Sequence, residues 1–223
     1  MKQFPIFIIC RDRLTPLQEL LRWLKDAGEK NIYLIDNQST YPPMVEFLET
    51  TKYIVIRSEH NTQESPWIYM QDSMHDYFVV TDPDVIPGEM CPRQVIYHMY
   101  TRLSIDPSIV KLGLSLKIDD LPDHYVHKED VMAWESQFWQ HYNARHDYYL
   151  APIDTTFALY KPNTPYVLSP AARMAPPYEA RHLPWYMHSK YLTNEEKYYR
   201  EHMNGAISNW NRENLPDALR KRS

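Results

Sequence analysis

The chain is poor in glycine: 4 of its 223 residues are Gly, against 18 Pro. A phosphate-cradling loop of the Gly-x-Gly-x-x-Gly or Walker type needs closely spaced glycines, so that backbone N–H groups can approach the phosphates, and neither pattern occurs. A nucleotide diphosphate would therefore have to be met by a metal ion or by Arg and Lys. Cysteine is equally scarce. Cys10 and Cys91 give no disulfide framework and no metal-type spacing. No apolar stretch approaches the ~20 residues that cross a bilayer. The apolar run at residues 4–10 is followed at once by Arg11-Asp12-Arg13, unlike a signal peptide. A cytoplasmic protein without a membrane span is the expectation. A basic surplus is missing too. The formal net charge is −5, and the one Lys/Arg block is the terminal Arg220-Lys221-Arg222, which disfavours a nucleic-acid partner.

What is present suits one α/β domain. The hydrophobic share of 43% can build a real core. Residues 4–10 form a continuous apolar run, as in a buried parallel strand. Thr15-Pro16 supplies an expected N-cap and N1 proline, Leu17, Leu20, Leu21 and Leu24 share a helical face, and Gly28 stops the helix. Residues 31–36 give a second strand, hence a βαβ unit with a right-handed crossover. Further strands are expected at residues 53–56, 77–81, 110–118 and 155–160, and helices at 45–49, 67–76, 95–103 and 130–141. From Pro162 to Pro184 the composition turns proline-rich, which suggests a long irregular segment acting as a lid. Thr193-Asn194-Glu195-Glu196 makes a capping box opening a last helix through about His202. The expected organisation over 1–223 is a nucleotide-binding half (1–90), an acceptor half (91–161) and a C-terminal lid and helix (162–223).

The strand at residues 77–81 delivers Asp82 and Asp84 to its carboxyl end, where ligands bind in open α/β sheets. Two carboxylates one residue apart suit a hard divalent cation such as Mg²⁺ or Mn²⁺, which can hold phosphate oxygens. The pair alone is weak, since chance gives about one Asp-x-Asp in a chain of this composition. Its setting gives it value. The other parallel strands end in Arg11, Asp12 and Arg13, in Asp36, Asn37 and Ser39, and in Glu59 and Asn61. Asp36 or Asn37 could bind a base or ribose edge, and Arg11 or Arg13 could meet phosphate. The bland alternative makes Asp36, Asn37 and Ser39 turn formers and caps.

The order of parts resembles a nucleotide-diphospho-sugar glycosyltransferase of the GT-A fold. Pro5-Ile6-Phe7-Ile8-Ile9-Cys10-Arg11-Asp12-Arg13 resembles the first strand of family-2-type enzymes. Residues 33–40 resemble their second-strand Asp-x-x-Ser-Thr element, and Val79-Val80-Thr81-Asp82-Pro83-Asp84 resembles their Asp-x-Asp metal motif. The match covers about residues 4–90; beyond that the chain is closer to small bacterial and viral glycosyltransferase-like proteins. The resemblance implies a Rossmann-type, mixed but mostly parallel central sheet flanked by helices. It also implies a nucleoside-diphosphate sugar over the first half-sheet, a Mn²⁺ or Mg²⁺ ion between its phosphates and the acidic pair, and a glycan or other hydroxyl acceptor. Asp84 is then the direct ligand, with Asp82 acting through water or the ribose. Ala180-Arg181-His182-Leu183-Pro184-Trp185-Tyr186 resembles a C-terminal element that closes over the diphosphate, which makes His182 a third ligand and Arg181 a phosphate contact. The accompanying Gly and Lys of that element are absent here.

Three carboxylates compete for the role of base toward an acceptor hydroxyl: Asp154, Glu135 and Asp120. Glu135 sits among aromatics, where desolvation would raise its pKa. Each also has a bland reading, as strand cap, helix-edge acid or turn former. Trp134, Trp139, Trp185, Tyr186 and Tyr125 could stack on sugars but serve equally as core anchors. Two other function classes fit parts of the pattern. A haloacid-dehalogenase-like phosphohydrolase also places Asp-x-Asp after an apolar strand, though usually the first one. A GT-A-like module could bind a sugar nucleotide without turning it over.

Overall fold

The computed structural model describes residues 2–60, 65–203, 210 and 212–220. The N-terminal half alternates strand and helix: β1 (Ile6–Cys10), α1 (Leu14–Asp26), β2 (Ile32–Asp36), α2 (Pro42–Thr50), β3 (Ile54–Arg57), α3 (Ser65–Met70) and β4 (Phe78–Thr81). Then follow β5 (Val85–Pro87), α4 (Val95–Leu103), β6 (Lys111–Gly113), β7 (Ser115–Leu116), α5 (Lys128–Glu135), β8 (Tyr142–Asn143), β9 (Tyr148–Leu150) and β10 (Ala158–Tyr160). β11 (Ala171–Met174), β12 (Glu179–His182) and α6 (Asn194–His202) come next, and a 3₁₀ turn lies at Asp217–Leu219.

Among the described residues, nine strands form one mixed sheet in the order β3-β2-β1-β4-β10-β6-β11-β9-β8. The first four run parallel, with Ile6–Cys10 opposite Ile32–Asp36 and Ile6–Ile8 opposite Val79–Thr81. This is a parallel, Rossmann-type half-sheet, as the resemblance implied. Alternation along the strands divides the core in two. Ile6, Ile8, Leu34 and Val79 join Leu17, Leu20 and Leu24 of α1 and Met99 and Leu103 of α4 on one face. Phe7, Ile35, Phe78 and Val80 join Trp67 and Met70 on the other. Helices therefore cover both faces, and the strand ends remain as the place for a ligand.

β10 runs antiparallel to β4 and β6. That reversal carries the residues before β10 to the edge where β4 ends. The stretch expected as one strand at 110–118 is divided at Leu114. Its first part stays in the large sheet and its second joins a separate sheet, β5-β12-β7. The proline-rich segment is not irregular throughout, because it contains both β11 and β12. Pro87 is tolerated in β5 because this strand lies at the edge of its sheet. The helix expected at 130–141 ends at Glu135 and continues as a 3₁₀ turn, Ser136–Trp139. The helix expected at 67–76 begins at Ser65 and passes into a 3₁₀ turn, Gln71–Ser73. α1 starts one residue before Thr15, with Arg13 at the N-cap and no side-chain cap of its own.

The rare glycines earn their places differently. Gly28 follows α1 with φ +83° and has no atom within 4 Å of a would-be Cβ, so conformation alone selects it. Gly113 is selected by space. A Cβ there would lie 2.9 Å from the Ala158 Cβ and 2.9 Å from the Phe157 carbonyl oxygen. Gly113→Ala is expected to force β6 away from β10 and to cost about 1–3 kcal/mol, the range for overpacking a tight core. Thermal unfolding should record it as a loss of several degrees; an unchanged melting temperature would show that the two strands can part without cost.

Candidate active site

The carboxyl ends of β1, β2 and β4 open into a cavity of about 560 Å³. Arg11, Arg13, Asn37, Asp82, Asp84, Glu135, Asp154 and His182 line it, as do Trp134 and Trp185. Eight of the site residues expected from sequence thus come together.

Backbone geometry sets the floor. After β1 the chain turns through Asp12, a non-glycine residue at φ +52°, a conformation that Asp tolerates better than most. The Asp12 carboxylate accepts hydrogen bonds from the backbone N–H groups of Thr40 (2.5 Å) and Tyr41 (2.7 Å), tying the loop after β1 to the loop after β2. Arg13 then points inward, and its side chain is only 4% exposed. Its guanidinium forms a short ion pair with Asp84, lies 3.1 Å from Glu196 of α6 and is covered by the Tyr199 ring at 3.9 Å.

Asp82 is held from β10's side. Its backbone N–H donates to the Thr155 carbonyl (3.0 Å), and the Thr155 hydroxyl donates to its Oδ2 (2.6 Å). Burial, and then the Asp84 charge, push the Asp82 carboxyl well above the ordinary carboxylate range, against the pull of the Thr155 hydrogen bond. The small sheet supplies the imidazole. β12 pairs with β5 so that His182 lies opposite Val85, and Leu183 N–H donates to the Asp84 carbonyl (2.8 Å). His182 Nε2 comes within 3.7 Å of Asp84 Oδ2, and its Nδ1 is buried without a hydrogen-bond partner among the described residues. Burial lowers the His182 pKa, so the ring is neutral near pH 7. Among the described residues, no three His, Cys, Asp or Glu side chains are grouped so as to hold a metal ion. Arg13 stands against Asp84 instead.

The far wall carries Glu135 and Arg173, both buried and 2.8 Å apart. Burial raises the Glu135 pKa and the Arg173 charge opposes the rise. Arg173 also donates to the Pro152 carbonyl (3.0 Å) and lies 4.1 Å from the Phe138 ring centroid. Glu135 is therefore locked in a structural pair. Asp154 is exposed at the cavity and accepts from the Tyr166 hydroxyl (2.8 Å). Its backbone is fixed from below. The buried Lys111 ammonium donates to the carbonyls of Ile153 (2.6 Å) and Asp154 (3.4 Å), and burial lowers its pKa to about 8.

Four expected residues lie outside the lining. Asp36 pairs with Arg57 at 2.5 Å and caps the Ser39 N–H at 3.0 Å, while Ser39 accepts from the Asp12 N–H at 3.1 Å. Asp120 and Arg181 pair with each other at 2.5 Å, and the Tyr186 hydroxyl donates to Asp120. Strand alternation explains Arg181, because neighbours on β12 face opposite ways and His182 takes the cavity side. Asn61 lies outside the described residues. Sequence reasoning missed Thr155, Arg173, Glu196 and Tyr199. Only Glu196 carried a signal, as the last residue of the capping box, where its N–H donates to the Thr193 hydroxyl at 3.1 Å.

No family model matches the chain, and no curated protein matches it. Solved structures resemble it at low identity. Glucosyl-3-phosphoglycerate synthase from Mycobacterium tuberculosis, in complex with Mn²⁺, uridine diphosphate and glucosyl-3-phosphoglycerate, is 8% identical over 72% of this chain and 57% of its own, with a TM-score of 0.43. A mycobacterial protein is 10% identical over 81% of this chain and 67% of its own, with a TM-score of 0.48. CMP:2-keto-3-deoxy-manno-octonic acid synthetase, complexed with CTP, is 10% identical over 72% and 74%, with a TM-score of 0.43. The chain spans little more than half the length of the mycobacterial synthase. Among the described residues, no helix is long and apolar enough to cross a membrane.

The Glu135–Arg173 pair gives a direct test of its structural role. Arg173→Leu leaves a buried carboxylate without a partner and should destabilise the fold by about 3–5 kcal/mol, whereas Glu135→Leu with Arg173→Leu should recover most of that loss. Denaturant unfolding of both variants measures it. Equal losses would mean that the pair contributes through something other than its own charge balance.

Proposed function

We propose that the chain transfers a sugar from a nucleoside-diphosphate sugar to an acceptor hydroxyl with the help of a divalent cation. The observation that carries the reading is the meeting of Asp82, Asp84 and His182 in one cavity at the carboxyl edge of the parallel strands. The donor types suit Mn²⁺ or Mg²⁺ once Arg13 is moved off Asp84. Two carboxylates and a neutral imidazole are a hard-to-borderline ligand set, and burial, then the Asp84 charge, raise the Asp82 pKa, both of which a nearby cation would oppose. Asp84 and His182 would hold the ion, with Asp82 beside it. When bound, the ion supplies charge neutralisation for a leaving diphosphate.

The remaining roles follow from position. Arg11, on the loop after β1, faces phosphate oxygens, and Arg13 does so when not engaged by Asp84. Asn37, at the end of β2, meets the base or ribose. Asp154 is the better candidate base, because Glu135 is spoken for by Arg173 and Asp154 is exposed to the cavity. An acceptor hydroxyl would lose its proton to Asp154 as its oxygen bonds to the anomeric carbon and the anomeric C–O bond to the diphosphate breaks. Trp134 and Trp185 in the wall would exclude water from that step.

Incubation with Mn²⁺ and a panel of nucleotide sugars is expected to release free nucleoside diphosphate slowly, with loss of the signal in Asp84→Ala and His182→Ala. Asp154→Asn should bind the same nucleotide yet lose about 10²–10⁴-fold in kcat, the usual weight of general base catalysis. Phosphate release from simple phosphoesters without nucleotide preference would favour a phosphohydrolase, and binding without turnover would favour a non-catalytic module.

A further inference from the structure

α6 reaches back across the whole chain to the loop after β1 and occupies its cationic groups. Glu195 Oε1 accepts hydrogen bonds from the backbone N–H groups of Leu14 (2.7 Å) and Thr15 (2.9 Å), the open N-terminus of the 13-residue α1. The helix dipole makes that end attractive to any anion. Glu196, 2% exposed, pairs with Arg13 at 3.1 Å and with Arg200 at 3.0 Å. The His202 carbonyl accepts from Arg11 Nη2 (2.8 Å). Tyr198 anchors the helix from the side, its hydroxyl donating to the Thr40 carbonyl (3.0 Å) and its ring 5.1 Å from that of Tyr41.

Arg11 and Arg13 are the cations that the loop after β1 presents to the cavity, and α6 engages both. Arg13 in turn holds Asp84, the carboxylate placed to bind the cation. The geometry points to α6 as an internal strap that closes the donor site: its two glutamates stand in for the diphosphate on the α1 N-terminus and Arg13, and the incoming diphosphate with its cation must displace them. This rests on the sugar-nucleotide reading above and adds to it a closed state. An anion entering near Arg13 competes with Glu196 for the guanidinium, and a cation entering at Asp84 competes with Arg13 for the carboxylate. Donor and strap are thus alternative partners of the same groups, which is negative coupling between α6 docking and donor binding.

Pyrophosphate with Mn²⁺ probes the strap without assuming a base, and the nucleoside diphosphates UDP, GDP, ADP and CDP with Mn²⁺ probe the full site. Glu195→Gln combined with Glu196→Gln removes the competing charge. Tyr198→Ala loosens the strap while leaving α1, Arg11 and Arg13 untouched. If the strap must open, only the open fraction binds, so both variants should bind pyrophosphate about tenfold more tightly than the parent chain. Hydrogen exchange of residues 194–202 in the parent should speed up when the ligand is added. Equal affinity in parent and both variants, or slower exchange in α6 on binding, would overturn the strap and leave the transferase reading intact. Absence of binding by parent and variants alike, with every nucleoside diphosphate and with pyrophosphate, would remove the sugar-nucleotide reading and the strap together. Circular dichroism and thermal melting confirm that each variant is folded, and Tyr198→Ala stands as the test should the buried Glu196 change unfold the chain.

Discussion

Asp82 and Asp84 leave one strand end a residue apart, and two carboxylates so placed in a cleft favour a cation beside them. At about 4 Å and an effective dielectric of about 20, two like charges repel by about 4 kcal/mol, a large share of what holds a domain together. The structure meets that demand twice. Burial and the Asp84 charge raise the Asp82 pKa, and Arg13 is buried against Asp84. Much else follows from supplying and orienting that arginine: the turn through Asp12, the cap from Glu195, the ion pair with Glu196 and the cover of Tyr199. With four glycines and no phosphate loop, the proposed function gives charge at the strand ends the work that backbone amides do in glycine-rich folds.

Topology makes the arrangement possible. Parallel strands alone would bring only the loops after β1, β2, β3 and β4 to the edge. The antiparallel β10 adds Asp154 and Thr155 to the same edge, and the small β5-β12-β7 sheet adds His182. Lys111, buried beneath, fixes the carbonyls on which Asp154 sits. The close approach of β6 and β10 at Gly113 keeps that platform in place.

The parallel half-sheet was legible because its strands are apolar runs ended by polar turns, and its first helix shows a leucine face. Asp82, Asp84 and His182 line one cavity, a meeting that their resemblance to motifs in order along the chain led one to expect. Local pattern could not show which distant groups would find one another. Arg173 and Glu135 are 38 residues apart, and Glu195 caps a helix 181 residues earlier. A capping box at Thr193 announced where α6 starts, yet the Glu196 side chain turns to Arg13 rather than back to its own N-cap. The strands within the proline-rich stretch were hidden because each is four residues long, too short for alternation to stand out from the surrounding prolines. Asp36 and Ser39 look like ligand groups in sequence and are held by Arg57 and Asp12 in the fold, as turn residues often are.

The central claim is that the cavity exchanges an internal cation for a metal-bound diphosphate. A crystal structure with Mn²⁺ and a nucleoside diphosphate, phased to reveal the anomalous signal of manganese, tests it most directly. The account predicts a manganese peak bound by Asp84 and His182, with the diphosphate beside Arg11 and the Arg13 guanidinium moved off Asp84. A nucleotide bound elsewhere, or a diphosphate in the cavity with Arg13 still paired to Asp84 and no manganese between them, would contradict it.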